Sequence, residues 1–387
     1  MSLAETIATS EPGRPEQVST RIAFFIAGFG TAAWAPLVPF AKARAGIEDG
    51  ALGLLLLCLG AGSIIAMPVA GGLAARFGCR RVLVVATLVI CLTLPLLAVV
   101  SDLVLLGLVL FVFGAGVGSL DCTVNIQAVI VERASGRAMM SGFHGLFSVG
   151  GIAGAGGVSV ALMLGASPLL ASLGVVVLIL AALFRAAPDL LPYGATGDGP
   201  AFAVPHGIVL FIGILCFVMF LTEGAVLDWS AVFLNSVHGV DPAYAGLGYA
   251  AFATTMTIGR LTGDRLVRSI RPSTVIALGA LCAAAGLALA TLGQSWIVGL
   301  AGYALVGAGC ANIVPVLYSA VGRQKVMPEH VAVPAISTLG YAGILAGPAA
   351  IGFVAHGSSL SIAFLIVALL LVGVAASGRL LNEGGDR

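Results

Sequence analysis

Three carboxylates and one histidine fall inside long apolar runs of this sequence, and each could move a proton or hold a polar ligand: Asp121, His144, Glu223 and Asp228. A charge at the centre of a bilayer costs ~2.5–3.5 kcal/mol even on a lenient insertion scale, so a carboxylate in such a run needs a reason to be there. Asp121 has Asn125 one turn further on the same face of a helix. That pair could bind a proton or the hydroxyls of a solute; the alternative is a structural carboxylate bonded to a neighbouring helix. Glu223 lies 16 residues past Gly207, deep within its run, a position suited to loading and releasing protons. Asp228 is five residues further, off that face, so the two do not form a dyad. It stands near the helix C-terminus, where the dipole disfavours an anion, and with Trp229 it reads as part of an outer gate. His144, with Ser148 four residues on, could relay a proton near neutral pH or simply pack among its many neighbouring glycines. Asn125, Gln127, Trp34, Asn312 and Tyr318 supply the amide and aromatic groups that hold polar solutes.

Other chemistries find no support. No Walker A pattern exists to bind ATP, no His/Cys cluster to bind a metal, and no nucleophile–base pair to run an enzyme. No cofactor is expected. A net charge of +1 argues against a nucleic-acid partner. The seven cysteines lie mostly in apolar runs and form no disulfide framework.

The elements that must position these groups are membrane helices. Of the 387 residues 59% are hydrophobic and only 9% charged, against about 25% charged in soluble domains. A shell so poor in charge cannot be wetted all round. A membrane helix needs ~20 mostly apolar residues. Such runs occur at 22–40, 51–75, 82–100, 103–131, 138–164, 168–184, 207–234, 243–261, 274–292, 296–321, 331–355 and 360–380, which predicts an all-α membrane protein of twelve transmembrane helices. With both termini cytoplasmic, sixteen of the eighteen cations, Arg260 included, fall on the inside face and only Lys42 and Arg44 outside, as the positive-inside rule requires. Residues 1–20 read as a polar cytoplasmic tail without a signal peptide, which places the chain as a multi-pass protein of the bacterial inner membrane.

The breaker-rich stretch Pro188–Pro205 divides the chain after the sixth span. The expected units are a bundle at 21–188, a cytoplasmic linker at 189–205 and a second bundle at 206–387. The halves echo each other: Gly114-Ala115-Gly116 recurs as Gly307-Ala308-Gly309, an offset of 193 that makes Tyr318 the counterpart of Asn125. The basic turns after spans two and eight are related by a similar offset of 189. Parallel six-span repeats are a transporter architecture.

The turn after span two, Gly71-Gly72-Leu73-Ala74-Ala75-Arg76-Phe77-Gly78-Cys79-Arg80-Arg81, resembles the major facilitator signature G-x-L-A-D-R-x-G-R-R. It departs at Ala75, where the family has Asp; the second half keeps the acid in Gly259-Arg260-Leu261-Thr262-Gly263-Asp264-Arg265. The resemblance implies two six-helix bundles related by a pseudo-two-fold axis, with Arg76, Arg80, Arg81, Asp264 and Arg265 gating the cytoplasmic side. The missing acid predicts a weak latch there and a resting state open to the inside. Within the superfamily, Gly116-Val117-Gly118-Ser119-Leu120-Asp121-Cys122-Thr123-Val124-Asn125 is similar to helix four of the fucose/proton symporters, which implies proton coupling at Asp121. The helix-one acid of that branch is absent from Ala35-Pro36-Leu37-Val38-Pro39. Bacterial relatives of unassigned substrate share the Glu-Gly-x-x-x-Asp-Trp pattern seen at Glu223–Trp229.

The implied activity is secondary transport of a small polar solute, with a sugar as the best match, together with protons, by a monomer in the lipid bilayer. Span five lacks the Gly-Pro pair of the antiporter signature, which favours uptake. A proton-driven exporter of drug-like compounds and a transport-dead sensor remain the alternatives.

Overall fold

The computed structural model describes residues 12–47, 49–195 and 204–378, apart from the side chains of 49–54 and 242–243. Eleven helices among these residues are long and apolar enough to cross a membrane. A twelfth, Leu247–Ser269, has the length but carries Arg260, Asp264, Arg265 and Arg268. In chain order the spans are Arg14–Ala32, Asp49–Phe77, Cys79–Val99, Leu103–Ser135, Met140–Met163, Pro168–Ala186, Gly207–Ser236, Leu247–Ser269, Pro272–Leu292, Trp296–Val321, Glu329–Gly357 and Leu360–Ser377. The twelve-helix expectation holds.

Span one begins at Arg14 rather than near 21, because Pro15 suits a first helical turn and Glu16 Oε2 accepts the Gly13 N–H at 2.7 Å. Residues 14–20 are therefore helix, not tail; residues 1–11 lie outside the described set. Pro36 and Pro39 divide the far end of this span into a 3-10 turn (Ala35–Leu37) and a short helix (Val38–Ala45). Arg44, assigned from the sequence to the sparsely charged face, caps span three there by donating to the carbonyls of Leu97 and Val100 at 2.7 and 3.0 Å. Spans four, six, ten and twelve all start from that face, with Asp102, Ser167, Ser295 and Ser359 accepting backbone N–H bonds at their N-termini.

Span ten is broken. Its helix runs Trp296–Cys310 and restarts at Ile313–Val321. Asn312 at the break donates its amide to the Gly259 carbonyl of span eight at 3.1 Å. Pro315 has no N–H to give the Ala311 carbonyl and its ring crowds that carbonyl, so the helix halts here, and the Asn312 contact with span eight holds the halted segment in place.

Spans one to six pack among themselves and spans seven to twelve do the same, chiefly as pairs one–five, two–four, seven–eleven, nine–ten and eight–ten. The repeat glycines explain two of these pairs. A Cβ on Gly114 would lie 2.0 Å from the Leu59 carbonyl oxygen, and one on Gly307 would lie 2.1 Å from that of Phe252. Each glycine lets the fourth helix of its half press onto the second. A hydroxyl closes each contact: Ser63 Oγ donates to the Gly114 carbonyl and Thr255 Oγ1 to the Ala304 carbonyl, both at 2.8 Å.

Around the outside, Leu92, Leu164, Phe184 and Phe353 are largely exposed, as a lipid-facing surface demands. Between the halves, span two packs on span eleven and span five on span eight. Contacts across this interface gather toward the arginine-rich face. Gly142 N donates to Asp264 Oδ1 at 3.1 Å, Arg133 pairs with Glu329, and Ser319 donates to Glu132. The arginine-rich side is closed in this structure, in contrast to the inward-open expectation. These contacts close the face without an acid at position 75.

Candidate functional site: a polar cavity between the halves

Spans one, two, four, five, seven, eight, ten and eleven surround a cavity of about 290 Å³, lined by Asp121, Asn125, His144, Glu223, Arg260 and Tyr318 among aromatic and aliphatic side chains. Five of the polar residues singled out from the sequence meet here: Asp121, Asn125, His144, Glu223 and Tyr318. Span four supplies the first two one turn apart. Asn125 Nδ2 is spent on the Asp121 backbone carbonyl at 2.9 Å, while its Oδ1 is buried without a partner. The Asp121 carboxylate has no ion-pair partner among the described residues.

His144 lies between two rings, with centroids 5.2 Å from Phe24 and 5.6 Å from Tyr318. Its Nδ1 is 3.0 Å from the Met140 carbonyl. A carbonyl only accepts, so Nδ1 carries the hydrogen and Nε2 is left for a ligand or a proton. The Tyr318 hydroxyl is 2.7 Å from Ser337 Oγ, which ties span ten to span eleven.

Arg260 is the functional residue that the sequence reading missed. It was counted with the cations of the inside face, yet its side chain is only 8% exposed and pairs with Glu223 Oε1 at 3.2 Å. Its other terminal nitrogen donates to Ser148 Oγ at 3.0 Å, and Ser148 donates to the His144 carbonyl at 3.3 Å. This chain of contacts crosses from spans seven and eight to span five. The signal was available: Arg260 stands eleven residues before Arg271 and within the apolar run 243–261. Glu223 is paired with Arg260, so Asp121 is the carboxyl of the cavity without a cation beside it. Tyr341, 6.2 Å from Phe220 between ring centroids, adds a further aromatic wall.

Other expected site residues lie elsewhere. Gln127 is fully buried: its Nε2 donates to Thr20 at 2.9 Å and its Oε1 accepts from Leu191 N at 3.1 Å, so it fastens the chain after span six and does not face the cavity. Trp34 is buried away from the cavity with its indole N–H unpartnered. Asn312 serves the break in span ten. Asp228 is exposed, and Trp229 donates to the Pro348 carbonyl at 3.2 Å within its own half.

Among the signature residues expected to gate, only Asp264 bridges the halves here. Arg80 donates to the carbonyls of Leu190 and Pro188, which pins the chain after span six beneath its own half. Arg76 lies over the Phe77 ring at 5.1 Å. Arg81 lines an apolar groove between spans two, three and four. Arg265 is exposed, with no ion pair among the described residues. Among the described residues none of these four arginines makes a hydrogen bond or ion pair across the two halves.

With this geometry in view, the family model described as Major Facilitator Superfamily matches residues 21–337. The chain belongs to that superfamily. As a facilitator it is a transporter and not an enzyme. It is 58% identical over 370 residues to an uncharacterised MFS-type transporter of Yersinia pestis, covering 95% of this chain and 96% of the relative. It is 32% identical to the membrane protein MosC of Rhizobium meliloti, covering 91% and 86%. Among solved structures, this facilitator is similar in fold to the Escherichia coli fucose:proton symporter FucP, with a TM-score of 0.77 at 18% identity, covering 94% of this chain and 98% of that one. The proton:xylose symporter XylE aligns with a TM-score of 0.67 at 13% identity, covering 94% of each chain.

Proposed function

We propose that this facilitator imports a small polar organic solute, of sugar-like chemistry, together with protons. The observation that carries the reading is Asp121: an unpaired carboxylate in a cavity walled by aromatic rings, beside a buried and unsatisfied amide oxygen on Asn125. Aromatic faces and amide groups suit hydroxylated rings, and a lone carboxylate suits a proton. The names of FucP and XylE as sugar:proton symporters lend support by fold.

Transport would proceed by alternating access, the halves 21–188 and 206–387 rocking about the cavity with 189–205 as linker. Asp121 and Glu223 would carry the coupling and His144 the relay, while Asn125 and Tyr318 hold the solute. The arginine-rich face would be cytoplasmic in the inner membrane, with the protein working as a monomer. A C-terminal reporter that fluoresces only in the cytoplasm should be bright; a dark one, with an active periplasmic reporter, rules out this orientation.

The central test uses proteoliposomes and a solute found by thermal-shift screening of monosaccharides and polyols. Solute addition should carry protons inward. Asp121→Asn should abolish accumulation against a gradient while retaining counterflow exchange. A variant that accumulates solute as well as the parent would make Asp121 structural and end the coupling assignment.

A further inference from the structure

We infer that a second pocket, at the arginine-rich face, binds a phosphate-bearing anion that clamps the two halves together. The pocket measures about 380 Å³ and is separate from the central cavity. Arg133 and Arg137 reach it from the end of span four and the following turn, Arg268 from the end of span eight, and Arg323 from the end of span ten. Its lining thus comes from both halves.

The charge balance favours an anion. Four arginines face one carboxylate, Glu132, so the lining carries 4 − 1 = +3. Glu132 is already consumed: Oε2 accepts the backbone N–H groups of Met139 and Met140 at 2.7 Å each, and Oε1 accepts from the Ser319 hydroxyl. Arg133 pairs with Glu329 at the side of the pocket. Arg137, Arg268 and Arg323 have no carboxylate within ion-pair distance among the described residues. Span nine, 21 residues long, also begins at this pocket with Pro272, and the positive end of its dipole adds to the field.

Topology alone does not account for this arrangement. The positive-inside rule places arginines on a face but does not gather them around one cavity. Elsewhere on the same face Arg80 is spent on carbonyls and Arg185 on Asp189 at 3.4 Å. Guanidinium forks match phosphate oxygens bidentately, and basic pockets between membrane helices on the cytoplasmic side accept phosphorylated headgroups. The shared chemistry is a phosphate group, carried by an acidic phospholipid or by a soluble metabolite.

The ligand touches both halves only when this face is closed. It therefore adds its binding energy to the closed state alone and holds the transporter there. From the proposed function this inference takes only the parting of the halves; it needs neither the identity of the solute nor proton coupling, and its test reads no transport.

Purified full-length protein would be placed in phosphatidylcholine nanodiscs, with spin labels at the arginine-rich ends of spans three and nine. One arm adds phosphatidylglycerol to the discs; the other titrates glycerol 3-phosphate against chloride at equal ionic strength. At least one source should raise the melting temperature and the closed population, and a chloride increase should weaken the effect by screening. The Arg268→Gln, Arg323→Gln double variant should bind at least about tenfold more weakly (~1.4 kcal/mol). The corresponding double lysine variant should retain part of the response. A response to the lipid only, or to the soluble ester only, names the source. The clamp is overturned if neither arm responds, if the glutamine variant responds like the parent, or if the parent's response is indifferent to salt.

Discussion

The two interfaces between the halves, span five on span eight and span two on span eleven, are counterparts in the repeat and are built differently. The first is polar. Asp264 accepts the Gly142 N–H at 3.1 Å, and Arg260 reaches Ser148 while paired with Glu223. The second is made of close apolar contact: Gly71 faces the Pro334 ring and the His330 carbonyl, and Gly60 faces Leu345. The acid of the first interface has its repeat partner at Ala75 in the second, since 264 − 75 = 189. One seam is held by directional hydrogen bonds and charge, the other by fit. Polar bonds break singly and can be swapped for bonds to a solute or proton, whereas a fitted surface parts as a whole.

The largest effect expected from breaking this contrast is at Arg260. Arg260→Ala leaves Glu223 buried without its cation, which costs ~3–5 kcal/mol in such pairs. Thermal unfolding in detergent should show the deepest loss of any single variant considered, and Glu223→Gln combined with Arg260→Met should recover most of it. An Arg260→Ala protein as stable as the parent would mean that the polar seam owes little to the pair.

Next come two matched glycine variants. A Cβ at position 71 would lie 2.3 Å from the Pro334 ring and 2.6 Å from the His330 carbonyl, groups that cannot swing aside. A Cβ at 142 would lie 2.5 Å from the Asp264 carboxylate, which can. Overpacking costs ~1–3 kcal/mol where neighbours cannot yield. Gly71→Ala should therefore open the arginine-rich face by about tenfold (~1.4 kcal/mol) in spin-label distance populations, and Gly142→Ala by clearly less. The reverse order would show that fit is not what holds the second seam.

Asp264→Asn keeps the shape and weakens one hydrogen bond by ~0.5–1.5 kcal/mol, a several-fold shift toward the open state in the same measurement. Ala75→Asp should do least. It gives the second seam an acid, but Glu329 already sits in the first turn of span eleven and pairs with Arg133. The expected gain is a closure of about twofold (~0.5 kcal/mol). A gain as large as the loss at Asp264→Asn would mean that the two seams are interchangeable after all.

Much of this was legible in the sequence because it depends on local pattern. Apolar length gave the spans, and the offset of Gly114 and Gly307 marked the same helix-on-helix contact in each half. Intramembrane acids and their helical spacing led to Asp121, Asn125 and Glu223, which share the cavity. What stayed hidden depends on partners remote in the chain. Arg260 reads as a surface cation until Glu223, 37 residues away, is seen beside it. Gln127 reads as a ligand group until Thr20 and Leu191 claim both ends of its amide. Arg80 reads as a latch until the chain after span six covers it. The halt in span ten was announced by Pro315, but the span-eight carbonyl that Asn312 finds there was not.

That halt has a consequence for how the two cavities communicate. Beyond it, Ile313–Val321 is a separate rod of nine residues, only ~13 Å long. Val314 and Tyr318 on this rod line the central cavity, while Val316 and Ser319 line the arginine-rich pocket. A helix so short moves as one piece, so a shift imposed at one end of the transport path is delivered to the other side of the same rod. With the proposed anion in the pocket, any factor it imposes through this rod on affinity in the cavity is one that the cavity must impose in return on affinity in the pocket.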